Sequence, residues 1–268
     1  MKARIAGGEI EYETSGKGPA VLFFHAFPLS LFMWEAQAEA LAATHQVIRF
    51  DARGFGASPP GDGLLTMERI ADDGARLLDH LGVSQAVVGG CSMGGYAALA
   101  FVRRHADRLR GLVLQDTRAG ADNEEGRRSR ATLAEKVLRD GSGAAADAFL
   151  PRLLGETTQK EDPALGRLLR ERILATSPRG IADALAGLAA RADSLPTLRE
   201  VRVPTLVVCG AEDVLTPVAE SEAIAKGIAG ARLEVIPKAG HLANLESPAA
   251  YNAALRSFLE SLPARRGP

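Results

Sequence analysis

Short apolar runs recur along the chain at 21–24, 86–88, 112–115, 205–209 and 233–236. Runs this short and continuous suit parallel strands buried on both faces, and between them apolar residues return at helical spacing. The alternation holds to about Asp116 and resumes at Pro204, which predicts an α/β chain with a mostly parallel sheet covered by helices on both faces. The stretch 119–200 differs. It has little strand character, and Ala, Leu and Arg recur at helical spacing between breaks at Pro151, Pro163, Pro178 and Pro196. We read 1–118 and 201–268 as one α/β core and 119–200 as an inserted subdomain of short helices. Set above the C-terminal strand ends, that insertion would wall a substrate pocket.

Helix boundaries in the core fit this division. Thr66 is placed to cap a helix that runs toward His80 and stops at Gly82. Thr216-Pro217 and Ser247-Pro248 each set a capping side chain before a proline at the first helical position. No internal repeat or low-complexity tract is evident, and the tail 263–268 reads as a frayed end.

With 268 residues and 46% hydrophobic content, the chain is long enough for one large α/β domain carrying an insertion rather than two independent domains. A formal net charge of -1 gives no electrostatic reason to expect nucleic acid or an anionic membrane surface as partner. The first nine residues lack the apolar core of a signal peptide, and the longest apolar stretch, 19–34, is broken by His25, Pro28 and Ser30. A soluble protein is expected.

Chemistry concentrates at the strand ends. Gly89-Gly90-Cys91-Ser92-Met93-Gly94-Gly95 follows the 86–88 run and reads as a strand, a sharp turn and a helix start. Small neighbours at Gly90 and Gly94 would let the Ser92 hydroxyl stand clear of the sheet while the backbone takes a strained geometry. The pattern GxSxG is loose by itself, so its context decides. His25-Ala26-Phe27-Pro28 follows the 21–24 run, Gly210-Ala211-Glu212-Asp213 follows 205–209, and Ala239-Gly240-His241 follows 233–236. Each segment thus lies just past the C-terminal end of an expected parallel strand, where ligands collect in open α/β sheets.

A serine hydroxyl needs a base to accept its proton as it attacks, and the base needs a carboxylate to fix its tautomer. His241 is the candidate base and Asp213 the candidate acid. Glu212 is an adjacent alternative, and either carboxylate could merely cap the turn. Cys91 adjoins Ser92 but suits a buried packing role better than a nucleophilic one. His45, His80 and His105 fall at helix ends. No His or Cys spacing suits a metal, Gly54-Phe55-Gly56 lacks the third glycine of a dinucleotide fingerprint, and no GK[ST] phosphate loop occurs. No cofactor is expected. Leu31, Phe32, Met33 and Trp34 suit an acyl pocket and plain core equally. Arg127, Arg128 and Arg130 could attract an anion, but Glu124, Glu125 and Glu135 nearly balance them, which favours a solvated face.

Together with Asp51-Ala52-Arg53-Gly54-Phe55-Gly56-Ala57-Ser58, these motifs make the chain resemble the α/β-hydrolase family over nearly its whole length. It is most similar to the small cofactor-free esterases, perhydrolases and enol-lactone hydrolases that carry a helical lid. The resemblance implies an eight-stranded, mostly parallel sheet with helices on both faces and an inserted helical lid. It also implies the order oxyanion loop, nucleophile, acid, histidine: backbone N–H groups of Phe27 and Met93 as oxyanion donors, Ser92 as nucleophile, and Asp213 with His241 completing a triad. His25 would order the oxyanion loop, and Ala26 stands where the family often has glycine. Some members take the acid from an earlier strand, which makes Asp116 a further candidate. The Asp51-to-Ser58 segment follows the family's third strand and is structural.

Family strand order would put one strand between those of Cys91 and Cys209, about 10 Å apart at roughly 4.8 Å per strand. A disulfide needs Cα atoms within about 7 Å, so two free thiols and a reducing compartment, the cytoplasm, are expected. The reaction implied is hydrolysis of a small carboxylic ester or lactone through an acyl-Ser92 intermediate, with a pH dependence governed by an imidazole. Perhydrolysis or haloperoxidase-type chemistry and carbon-carbon bond hydrolysis use the same triad and stay open. So does a ligand receptor of the same fold with weak hydrolytic activity. Epoxide hydrolysis and dehalogenation use an aspartate nucleophile, against which Ser92 argues. The partner expected is the small-molecule ester or lactone substrate, with no nucleic acid and no membrane; a homo-oligomer is left open.

Overall fold

Eight strands form one sheet: Lys2–Ile5 (β1), Gly8–Ser15 (β2), Ala20–Phe24 (β3), Gln46–Phe50 (β4), Ala86–Cys91 (β5), Leu109–Gln115 (β6), Thr205–Gly210 (β7) and Arg232–Ile236 (β8). Their order is β1-β2-β4-β3-β5-β6-β7-β8. The computed structural model describes residues 1–263; the remainder of the tail read as a frayed end, 264–268, lies outside the described residues. β1 pairs with β2 and β2 with β4 antiparallel, and every other pairing is parallel. This is the mostly parallel sheet expected from the apolar runs, with the eight strands that the family resemblance implies.

β3, β5 and β7 are buried at every position, as continuous apolar runs must be when helices cover both faces. The β1–β2 hairpin lies at one edge and mixes buried with exposed positions, so a reading based on apolar runs passes over it. Because that hairpin takes the first two places, the Asp51-to-Ser58 segment follows the fourth strand rather than the third. At the opposite edge, β8 carries Arg232 and Glu234 on partly exposed positions, which discourages pairing with a further strand.

Successive side chains of a strand point to opposite faces, and Phe23 and Phe24 mark the two layers. Phe24 meets Phe101 on Met93–Arg104 (α3) and lies close to Gly74 on Met67–His80 (α2). Phe23 stacks on Trp34 with ring centroids 4.4 Å apart, and Trp34 in turn meets Tyr251 on the C-terminal helix Pro248–Ser261. Glu35–Leu41 (α1) packs against that same C-terminal helix. Leu31, Met33 and Trp34 are buried, so this stretch belongs to the core layer on the Phe23 side.

Cap chemistry sets several of these ends. The Thr66 hydroxyl accepts from Arg69 N at 3.1 Å and Gly82 follows the helix with φ +66°, as the sequence predicts. Pro248 opens its helix as expected, though Ser247 makes no side-chain cap bond. After Pro217 the helix begins at Val218, and Thr216 is not its cap. That hydroxyl is used elsewhere.

Between β6 and β7 the chain forms only helices: Glu124–Asp140 (α4), Gly143–Leu153 (α5), Glu156–Glu161 (α6), Pro163–Leu174 (α7), Pro178–Ala189 (α8) and Leu195–Leu198 (α9). Pro163 and Pro178 open α7 and α8, where a missing N–H costs nothing. Pro151 instead sits inside α5, two residues before its end, so it forfeits one intrahelical bond without breaking the helix. α4 and α8 pack against each other, and Leu65 N donates to Asp183 O at 3.2 Å, joining α8 to the core. The Phe149 ring on α5 meets Phe27 edge-on at 5.1 Å, which brings this insertion over the loop after β3.

Among the described residues, no helix is long and apolar enough to cross a membrane. Cys91 and Cys209 are buried, unpaired thiols at the ends of β5 and β7, with β6 between them.

Candidate active site

Ser92 stands between β5 and α3 with φ 53° and ψ −112°, a conformation that costs a non-glycine residue about 1–3 kcal/mol. The neighbours explain how the chain tolerates it. A Cβ on Gly90 would lie 2.0 Å from Gly94 O, and a Cβ on Gly94 would lie 2.2 Å from Phe24 O. Both positions therefore admit only glycine, and the turn passes close to the sheet because of it. Ser92 N donates to Gln115 O at 2.9 Å, and the Thr117 hydroxyl donates to Ser92 O at 2.9 Å, which fixes the strained residue from both sides.

His241 and Asp213 meet as the sequence expects, with Nδ1 and Oδ2 2.8 Å apart and both side chains buried. The carboxylate can only accept, so the imidazole proton sits on Nδ1 and Nε2 is left free to take a proton. Asp213 is held by more than the histidine. Its Oδ1 accepts from Leu215 N at 2.8 Å and Thr216 N at 3.1 Å, and its Oδ2 also accepts from the Thr216 hydroxyl at 2.7 Å. Burial opposes the charge on Asp213, but His241 and Thr216 outweigh it and hold the carboxyl below its ordinary value. Thr216 is thus part of the acid's support rather than a helix cap. Its position three residues after the acid is the signal the sequence offered, an Asx-type turn at Asp213.

The two alternative acids lie elsewhere. Asp116 is fully buried, with Oδ1 accepting from Gly210 N at 2.8 Å and Oδ2 from Gln115 Nε2 at 3.1 Å. It makes no bond to His241. Burial and the nearby Asp213 charge push its carboxyl well above the ordinary range. Glu212 points to the insertion, where it accepts from Thr157 N at 2.8 Å and from the Thr157 hydroxyl.

Glu246, on the short helix Ala243–Glu246, was not legible as a site residue. Its Oε1 accepts from Gly240 N at 2.9 Å and Leu242 N at 3.0 Å, the residues on either side of His241, while Oε2 accepts from Gly155 N at 2.8 Å. One carboxylate therefore joins the histidine loop to the junction of α5 and α6. The two backbones touch there: a Cβ on Gly240 would lie 2.2 Å from Gly155 N.

Ser92 and His241 share the wall of one cavity of about 430 Å³, with Phe27, Met93, Leu215 and Thr216 beside them. The Ser92 hydroxyl is not hydrogen-bonded to His241 in this state. Phe27 N and Met93 N donate to no backbone acceptor among the described residues, which leaves both N–H groups available where the two segments border the cavity. Ala26 has no left-handed backbone strain, so its methyl does not disturb the loop. His25 is buried beneath: its Nδ1 bonds Ala26 O at 3.0 Å and its Nε2 accepts from Ala52 N at 3.0 Å. Burial pushes its pKa down to about 4, so it is neutral. Ala52 belongs to a rigid segment, since Arg53 forms a buried ion pair with Asp73 at 2.6 Å and Asp51 accepts from Leu31 N at 2.8 Å and Ala57 N at 2.9 Å.

Much of the remaining wall comes from the connection after β6 and from the insertion, including Arg118, Asp122, Gly126, Arg130, Leu133, Phe149 and Arg152. Arg127 and Arg128 are exposed as expected, but Arg130 turns inward. The reason is helical phase: Gly126, Arg130 and Leu133 face the cavity and Val137 is buried below them, at the three- and four-residue steps of one face of α4. None of Leu31, Phe32, Met33 and Trp34 lines the cavity; Leu31, Met33 and Trp34 are buried, and Phe32 is partly buried against the core.

Among the described residues no group of three His, Cys, Asp or Glu side chains is arranged to hold a metal. Residues 19–248 match the family model described as the alpha/beta hydrolase fold. The chain belongs to that family. Relatives within the alpha/beta hydrolase fold span different activities. A thermophilic esterase from Thermogutta terrifontis, solved with malate bound, is 42% identical with a TM-score of 0.94, over 97% of this chain and 98% of that one. The 3-oxoadipate enol-lactonase 2 of Acinetobacter baylyi is 29% identical, over 94% of this chain and 93% of its own. A protein of Mycobacterium tuberculosis provisionally named non-heme bromoperoxidase BpoC is 30% identical, over 95% of this chain and 99% of its own. Membership in the alpha/beta hydrolase fold family, with esterase and lactonase relatives, supports a hydrolase and leaves the substrate class open.

Proposed function

We propose that this protein is a serine hydrolase that cleaves small carboxylic esters or lactones through an acyl-Ser92 intermediate. The observation that carries the reading is the buried 2.8 Å contact between Asp213 and His241 on the wall of the cavity that also exposes Ser92. His241 Nε2 takes the Ser92 proton as Oγ attacks the carbonyl carbon, and then returns it to the leaving oxygen. Asp213 stabilises the imidazolium that forms between those steps. The N–H groups of Phe27 and Met93 receive the oxyanion, a contribution of about 3–4 kcal/mol for each donor in sites of this kind. Water, activated by His241, then releases the acid and restores the serine.

In this reading 119–200 acts as the lid, with Arg118 at its base and Phe149 closing the cavity over Phe27. A volume of about 430 Å³ suits a small substrate rather than a long acyl chain. Two buried free thiols fit a reducing compartment, and we place the protein in the cytoplasm.

The test is a panel of p-nitrophenyl esters, simple lactones, and peroxide with acetate, run on wild type and Ser92→Ala. Turnover of esters or lactones that Ser92→Ala abolishes, in a folded variant, supports the proposal. Turnover of peroxide and acetate alone would move the reading to perhydrolysis. A single slow turnover with retained ligand would indicate a receptor.

A further inference from the structure

The geometry points to a carboxylate-binding subsite opposite Ser92, formed by Arg118 and Arg130, so that the preferred ester or lactone carries a free carboxylate away from its scissile bond. This rests on the hydrolase reading above for the identity of the reacting group, but the subsite itself is argued from charge and hydrogen-bond capacity. Apart from His241 and the Tyr96 phenol, which lies beside Arg118, the ionisable groups on the cavity wall are Arg118, Arg130, Arg152 and Asp122. One carboxylate faces three guanidiniums.

That carboxylate is already committed. Asp122 is buried; its Oδ1 accepts from Arg118 Nη2 at 2.6 Å, and its Oδ2 faces both Arg130 Nε and Arg191 Nη1, the latter at 2.8 Å. Burial opposes its charge, and the Arg130 and Arg191 guanidiniums more than offset that, holding the carboxyl below its ordinary value. Asp122 is therefore an anion that gathers three cations and balances one.

The three arginines divide into two kinds. Arg191 is buried and absorbed by the protein: it bonds Leu188 O at 3.1 Å and Gly120 O at 2.9 Å besides Asp122, and lies 4.3 Å from the Tyr96 ring centre. It does not line the cavity. Arg118 and Arg130 do line it, and both retain donors. Arg118 Nε is buried without a hydrogen-bond partner, as is Arg191 Nε, so the free donors that reach the cavity are those of Arg130. Arg130 uses Nε on Asp122, and among the described residues its two terminal nitrogens donate to no protein acceptor. A pair of parallel N–H donors at the end of a guanidinium fits a carboxylate in two-point fashion.

Asp122 is then a positioning residue, which holds the two guanidiniums at the wall without touching the ligand. Arg130 would bind the substrate carboxylate end-on while Ser92 attacks the ester carbonyl across the cavity.

The experiment compares ethyl hydrogen succinate with the neutral ethyl pentanoate in wild type and Arg130→Gln. Arg130→Gln is expected to lower kcat/KM for the acid ester by about 10- to 100-fold, mainly through KM, and to leave the neutral ester within about twofold. Equal loss on both esters, or no loss on the acid ester, would overturn the subsite. A binding arm separates this from the hydrolase reading. Calorimetry with ethyl hydrogen succinate on Ser92→Ala and on Ser92→Ala with Arg130→Gln reads the subsite without turnover. Weaker binding in the double variant upholds the subsite even if no ester is cleaved; equal binding removes it even if esters are.

Discussion

Ser92, Asp213 and His241 follow β5, β7 and β8, where parallel pairing sets the position of each backbone. Arg118, Asp122 and Arg130 stand on the connection after β6 and on α4, where the packing of amphipathic helices sets it instead. Ser92 and His241 of the first group and all three of the second line one cavity, yet the groups are specified differently. A strand end carries its residue with a register fixed by the whole sheet. A helix in the insertion presents whichever residue its phase and its neighbours turn inward. The first region is suited to chemistry that tolerates little displacement, and the second to recognition.

The largest expected contrast lies within the first region. Asp213→Asn should lower kcat by about 10⁴-fold, because an amide fixes the wrong histidine tautomer. Asp116→Asn should lower it less than about tenfold, since Asp116 bonds Gly210 N rather than His241 and its burial already favours the neutral form. Steady-state kinetics on one ester compare the two. Similar losses would mean that the acid is shared between strands and that the structure misassigns it.

Glu246 joins the two regions and so tests whether they act independently. Glu246→Gln leaves one oxygen to accept what two accept now from Gly240, Leu242 and Gly155. We expect kcat/KM to fall about tenfold on acid and neutral esters alike, unlike the selective loss predicted for Arg130→Gln. A loss confined to the acid ester would place Glu246 in recognition.

The smallest effect concerns stability beneath the oxyanion loop. His25 has a folded pKa of about 4 against an ordinary 6.5, so between these values the unfolded chain takes up a proton that the folded chain refuses. Wild type should therefore lose up to about 3 kcal/mol of stability from this group as pH falls from 6.5 to 4. His25→Gln gives up the bonds to Ala26 and Ala52 but has no proton to gain, so its deficit should be greatest at neutral pH and shrink on acidification. Asp51, pushed up to about 6 by burial, contributes the opposite slope in both proteins and drops out of the difference. Urea unfolding of both proteins at pH 7 and pH 5 checks this; a constant deficit would mean that His25 is not held neutral.

The same division explains what the sequence made legible. Buried parallel strands are written as continuous apolar runs, and the residues after them fall at strand ends automatically, so Ser92, Asp213 and His241 could be named as candidates from order and spacing, whereas Phe27 and Met93 come from the family resemblance. The hairpin strands β1 and β2 lack such runs. Thr216 reads equally well as a cap before Pro217, and only its 2.7 Å bond to Asp213 distinguishes the roles. Arg130 sits in a charge-balanced segment whose composition suggests a solvated face, and the phase of α4 alone turns it inward. Glu246 accepts from the backbone N–H of Gly155, 91 residues earlier in the chain, a relation no local pattern encodes.

The most direct test of the account is to trap the acyl-enzyme. Wild type mixed with p-nitrophenyl acetate, quenched early and examined by peptide mass spectrometry, should carry an acetyl group on Ser92, and Ser92→Ala should carry none and show no turnover. An acetyl group on another residue, or undiminished ester turnover by a folded Ser92→Ala, would contradict it.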